Sequence, residues 1–153
     1  MSTAVATQFT TGHVGLNVSD LARSKRFYQQ VFGFEVLAES KEPGREYAFL
    51  TQGEKIVLTL WQQSGGSFAK DRPGLHHLSF QVDSVDQVWD AERRLRDLGA
   101  VIHHHGIVPH RESAESGGLF FEDPDGIRLE IFTAAGVSEG VAPHGAAPTC
   151  GFF

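Results

Sequence analysis

Apolar and polar residues alternate along residues 77–82. Leu78, Phe80 and Val82 point one way, and His77, Ser79 and Gln81 the other, which predicts a half-buried strand. The same alternation occurs near the N-terminus, where Val14, Leu16 and Val18 oppose His13, Gly15 and Asn17 over residues 13–18. Each strand runs into a helix. Ser19 and Asp20 offer N-cap oxygens before a helix over 21–32 that buries Phe27, Val31 and Tyr28, and Gly33 stops it. Asp83 and Ser84 do the same before a helix over 85–98, with Val85, Val88, Trp89, Leu95 and Leu98 on its apolar face and Gly99 at its end. Three strands then follow each helix: 34–38, 46–51 and 55–61 in the first half, and 101–104, 119–122 and 127–133 in the second.

The order strand-helix-strand-strand-strand therefore occurs twice, and self-similarity of this kind marks a repeated structural unit. The expected fold is α+β, with two βαβββ modules. Residues 9–61 make the first module and 75–135 the second. The polar, Gly- and Ser-rich residues 62–74 link them, residues 1–8 form a flexible N-terminus, and 136–153 form a tail. The tail lacks periodicity but ends in Cys150-Gly151-Phe152-Phe153, which is apolar enough to dock on its own subunit or a neighbour.

Composition narrows the function. A net charge of -6 with no basic cluster excludes a nucleic-acid partner. No apolar run approaches the roughly 20 residues that span a bilayer, so no membrane partner is expected. Cys150 is the only cysteine, so no intrachain disulfide forms, and a cytoplasmic location fits.

Three polar residues carry the candidate chemistry. His13 and His77 hold equivalent places in the repeat, each on the polar face at the mouth of its strand. Glu130 sits mid-strand on the face shared by Arg128 and Phe132, where a carboxylate is costly to bury without a partner. Two imidazoles and one carboxylate bind a divalent metal on one face and leave the opposite positions open. His110 and Arg111 lie in the long loop of the second module, within reach of the site as acid, base or anion clamp, although a solvated loop is the plainer account. His103-His104-His105 resembles a metal cluster, but alternation along a strand lets only His103 and His105 share a face, and solvent exposure is expected. Tyr47, Phe49, Trp61 and Phe132 line an apolar cavity or belong to the core. Asp123-Pro124-Asp125-Gly126 reads as a turn without chemistry.

Four stretches carry a resemblance: His13-Val14-Gly15-Leu16-Asn17-Val18-Ser19-Asp20, Phe27-Tyr28-Gln29-Gln30-Val31-Phe32-Gly33-Phe34, Gly74-Leu75-His76-His77-Leu78-Ser79-Phe80, and Phe121-Glu122-Asp123-Pro124-Asp125-Gly126-Ile127-Arg128-Leu129-Glu130. In this order they resemble the vicinal oxygen chelate superfamily, which includes glyoxalase I, extradiol dioxygenases, fosfomycin-resistance transferases and bleomycin-binding proteins. The resemblance implies that the two βαβββ modules form a cupped mixed sheet with helices outside, and that a metal inside the cup is held by His13, His77 and Glu130. His76 competes with His77, but only His77 keeps the register of His13. Glyoxalase I-like members carry a fourth ligand, a glutamate, where alignment of Thr59-Leu60-Trp61 with Glu130-Ile131-Phe132 gives Thr59. Extradiol dioxygenases keep three ligands but add a tyrosine and a histidine; the corresponding neighbourhoods here hold Phe120 and Gln62-Gln63. The resemblance thus implies a dioxygenase-like metalloenzyme acting on a small oxygen-bearing organic molecule. Fe(II) is favoured over Mn(II), Zn(II), Ni(II) or Co(II), Thr59, His110 and Arg111 are the candidate catalytic residues, and the assembly is a homodimer. The alternatives are a glyoxalase I-like lyase or isomerase and a metal-free drug-binding resistance protein.

Overall fold

The computed structural model describes residues 3–153. Two four-stranded mixed sheets, each with one α-helix, give an α+β fold of two βαβββ modules. The first contains β1 (Val14–Asn17), α1 (Leu21–Phe32), β2 (Glu35–Ser40), β3 (Tyr47–Gln52) and β4 (Lys55–Trp61), in the order β1-β4-β3-β2. The second contains β5 (Leu78–Val82), α2 (Val85–Asp97), β6 (Val108–Pro109), β7 (Gly117–Glu122) and β8 (Arg128–Thr133), in the order β5-β8-β7-β6. In each sheet the first strand runs parallel to the last, and the other pairs are antiparallel. The repeat extends to register. Gly15 pairs with Thr59 across β1 and β4, and Ser79 with Glu130 across β5 and β8. Phe49 faces Thr59 as Phe120 faces Glu130. Thr59 and Glu130 are therefore structural equivalents.

Local chemistry explains the helices. The Asp20 carboxylate accepts the Arg23 amide at 3.0 Å and caps α1. Gly33, at φ 71°, ends it with its amide on the Gln29 carbonyl at 2.9 Å, a left-handed conformation that costs glycine little. Gln87 reaches back to the amides of Asp83 and Ser84 at the start of α2. One face of each sheet packs on the helices. Leu16, Leu50, Leu58, Leu60, Leu119, Phe121, Leu129 and Ile131 join Phe27, Val31 and Leu95 in one core spanning both modules. Phe32 and Phe34 contact Phe80 across the boundary, with ring centroids 4.7 and 5.9 Å apart.

The turn at Asp123–Gly126 is more than a turn. Asp123 accepts from the Tyr28 hydroxyl at 2.8 Å, and Asp125 from the Ser19 amide at 3.1 Å and Arg23 at 3.0 Å. It clips the second module to the head of α1. Burial pushes the Asp123 carboxyl above its usual range, opposed by the Ile127 amide and the Tyr28 hydroxyl.

Three expectations change. Residues 101–104 do not form a strand: a single bridge joins Ile102 to Phe121, and the chain then coils tightly through His103–His105. His104 and His105 are left-handed, at φ 59° and 64°, and this reverses the chain before β6. His103 and His104 are consequently half-buried rather than solvated. On α2 the buried stripe is Val88, Ala91 and Leu95, whereas Trp89 is 52% exposed and Leu98 41%. The small Ala91 sits at the contact, and the larger tryptophan lies on its flank.

Candidate active site on the second module

The faces opposite the helices carry the candidate chemistry, and the two modules differ there. On the first, Thr59 is buried and accepts the Trp61 indole N–H at 3.0 Å. Tyr47, Phe49 and Trp61 pack together beside it, with centroids 5.2 to 5.8 Å apart, and remain half-buried. These three line this open face and are not part of the common core. Gly15 keeps the strand close: a Cβ there would lie 3.2 Å from the Thr59 hydroxyl.

On the second module Glu130 is only 3% exposed and is gripped from two sides. His77 Nε2 lies 3.3 Å from Oε2, and His110 Nε2 lies 2.7 Å from Oε1. Ser116 holds the other ring nitrogen of His110 at 2.9 Å, which fixes the ring orientation. His110 is thus half-buried on the carboxylate, not free in a solvated loop. Burial pushes the His77 imidazole below its usual range, and the Glu130 charge pulls against this. A neutral imidazole is the form that ligates metals. His76 hydrogen-bonds His77 through the Nδ1 atoms at 2.8 Å, and its carbonyl accepts from Arg128 Nε at 2.9 Å. Phe120 and Phe132 complete the floor, packed on His110.

The expected ligands do not all converge within one chain. His77 and Glu130 meet, but His13 is exposed at the head of β1, on the other sheet. Among the described residues, no three His, Cys, Asp or Glu side chains are grouped to hold a metal. Arg111 is exposed, and among the described residues its side chain makes no ion pair.

The tail reaches this face. Thr149 is fully buried, with its hydroxyl on the Pro109 carbonyl at 2.8 Å and its amide on the His110 carbonyl at 2.8 Å. Cys150 follows close enough for the Glu130 charge to reinforce burial in pushing its thiol upward. Phe153 lies over the floor, its ring 4.9 Å from Phe120 and 5.6 Å from both His77 and His103. Phe152 stays 54% exposed, so the tail hides only one of its two aromatics well. The aromatic residues at 152 and 153 signal docking, but nothing in the sequence indicates where.

Residues 10–131 match the Glyoxalase/Bleomycin resistance protein/Dioxygenase superfamily, and the chain belongs to it. Catechol-2,3-dioxygenase of Bacillus subtilis is 28% identical over 123 residues, 79% of this chain but only 40% of that protein. Lactoylglutathione lyase of Salmonella typhimurium is 31% identical over 138 residues, covering 84% of this chain and 96% of that one. The fosfomycin resistance protein FosX of Listeria monocytogenes, crystallised with Mn(II) and sulfate, shares the fold with a TM-score of 0.62 at 21% identity. That match covers 83% of this chain and 93% of FosX. The relatives thus span several chemistries on one scaffold. No helix among the described residues is long and apolar enough to cross a membrane.

Proposed function

We propose that the chain is a metal-dependent enzyme acting on a small oxygen-bearing organic molecule, with a dioxygenase-like site of two histidines and one glutamate. The observation that carries this is Glu130, a buried carboxylate set between His77 and His110 at 3.3 and 2.7 Å. The closeness of His77 and Glu130 supports their serving as two of the expected three donors, and in this reading the third comes from outside the chain's own cup. We place His13 of a second protomer there, so that the first-module face of one chain closes over the second-module face of another in a homodimer. The exposure of His13 and of the Tyr47–Phe49–Trp61 face supports this reading.

A divalent ion held by His13, His77 and Glu130 supplies Lewis acidity and, as Fe(II), redox chemistry. Fe(II) is the favoured ion, with Mn(II), Zn(II), Ni(II) and Co(II) as alternatives. The chain's own residues do the rest. His110, oriented by Ser116, donates from Nε2 to Glu130 Oε1 and so holds the carboxylate in place. Phe120 and Phe132 keep water from the carboxylate. Thr59 stands where a fourth, anionic ligand belongs in a lyase-type site, and its hydroxyl is already engaged by Trp61. That favours dioxygenase-like chemistry over the lyase.

Elemental analysis of protein prepared anaerobically without added metal tests the reading. His77→Ala is expected to lose most of the bound metal, whereas His76→Ala keeps it. Equal loss from both variants, or metal-free wild-type protein, would overturn the proposal, and the latter would favour a drug-binding protein.

A further inference from the structure

The repeat provides its own control for what the tail does. Phe49 and Phe120 occupy equivalent positions, opposite Thr59 and Glu130. Phe49 is half-buried, yet Phe120 is 0% exposed, although it faces away from the common core. The Phe153 ring and the histidines of the 103–110 segment cover it.

The hold on Phe153 is specific in two respects. Its ring occupies a slot walled by His76, His77, His103 and Phe120, with centroids at 6.5, 5.6, 5.6 and 4.9 Å. Its backbone oxygen accepts from Arg128 Nη1 at 2.8 Å, and the guanidinium carbon lies 6.0 Å from the ring centroid. Arg128 points to the same side of β8 as Glu130, two residues away. The slot therefore combines an aromatic-lined wall with a cationic oxygen anchor beside a buried carboxylate and its histidines.

The attachment is also peripheral. Thr149 is anchored by two strong backbone contacts, but Gly151 and Phe152 beyond it are exposed. The Phe153 side chain and oxygen are held by one Arg128 hydrogen bond and the ring contacts, and none of these partners belongs to the common core.

We infer that Phe153 occupies a ligand subsite of the second module, and that the ligand it displaces is a small arene carrying a carboxylate or carbonyl oxygen. The ring of that ligand takes the slot of Phe153, and its oxygen takes the place of the Phe153 backbone oxygen on Arg128. The tail is then a built-in competitor. The inference rests on the proposal that this face binds the small-molecule substrate, and it goes further by naming the substrate's chemistry.

Competition of this kind scales the apparent affinity by the fraction of open tail, so a tail closed about nine-tenths of the time weakens binding about tenfold. The test is calorimetric titration of full-length protein, as purified, with 3-phenylpropanoate. Phe153→Ala is expected to bind about tenfold tighter than wild type, and Phe152→Ala no tighter than wild type. Adding Arg128→Gln to Phe153→Ala should cost about tenfold or more, as expected for losing a hydrogen bond to a charged group. Melting temperatures within a few degrees of wild type show that the variants are folded. Unchanged affinity in Phe153→Ala, equal tightening in Phe152→Ala, or indifference to Arg128→Gln would overturn the inference. Metal content measured on the same samples separates the two proposals: intact metal with no probe binding refutes the subsite alone.

Discussion

Replacing Thr59 by glutamate puts a carboxylate where the equivalent strand position already carries one. Thr59 is 3% exposed and surrounded by Gly15, Phe49 and Trp61, with no imidazole comparable to His77 or His110. A buried carboxylate without a partner costs about 3–5 kcal/mol. At ~2–4 °C per kcal/mol for a chain of this size, metal-free Thr59→Glu is expected to melt roughly 6–20 °C below wild type. If position 59 faces a divalent ion, metal neutralises that charge. A ligand at a hundred times its Kd returns about 2.7 kcal/mol, so added Mn(II) should raise the melting temperature of the variant more than that of wild type. The added anion also fills one open coordination position, so oxygen-dependent turnover should fall. Differential scanning fluorimetry with and without Mn(II), paired with an oxygen electrode and a catechol panel, reads all three. A lowered melting temperature with no extra recovery in metal would show that position 59 is merely core. A variant with unchanged melting, metal stoichiometry and oxygen uptake would show that it lies outside the site.

Two further predictions concern stability. Tyr28→Phe removes a hydrogen bond to the buried Asp123 carboxylate and should cost ~1.5–3 kcal/mol at neutral pH by urea denaturation. Because the folded pKa of Asp123 is raised, its contribution is full below the unfolded value and lost as pH rises through the folded one. Tyr28 restrains that rise, so the penalty should shrink as pH falls from 7 toward about 4, and equal penalties at both would contradict the assignment. Gly118→Ala puts a Cβ 2.1 Å from the Ile131 carbonyl and 2.7 Å from Phe132 Cα, both backbone atoms of the Glu130 strand. It should cost about 3 kcal/mol or more and lower metal content with it, and a thermal melt like that of wild type would refute the packing.

The repeat was legible because strand alternation is a local property. The period-two pattern around His13 and His77 carries the register that makes Thr59 and Glu130 equivalent, and pairing across both sheets bears that out. The caps at Asp20 and Gly33 are equally local. The misread segments depend on partners far along the chain. Asp123 and Asp125 looked like turn residues, yet their hydrogen-bond partners Tyr28 and Ser19 lie 95 and 106 residues away. The coil at His103–His105 contains two left-handed residues without the glycine that usually announces them. On α2, hydrophobicity favoured Trp89, but steric fit against the sheet selected Ala91. The tail announced itself by its aromatics, but its landing place depends on a slot assembled from three separate segments of the second module.

The asymmetry between the two faces bears on what the proposed cup binds. One half offers a carboxylate, the other a hydroxyl. If a divalent ion is held by His13, His77 and Glu130, with the imidazoles ligating in their neutral form, Glu130 contributes the only negative charge. Such a site would keep one net positive charge in a setting shielded by Phe120 and Phe132, where an uncompensated charge is expensive. An anionic chelating substrate cancels it; a neutral one does not. Arg128 adds a second cation on the same side of β8, already occupied by a backbone oxygen of the chain itself. Both features favour a ligand whose oxygens carry negative charge. A glutamate at position 59 would remove that preference at its source. In that reading the threonine would set the charge of the site as much as leave a ligand position open, and would tie the identity of residue 59 to the charge of the substrate.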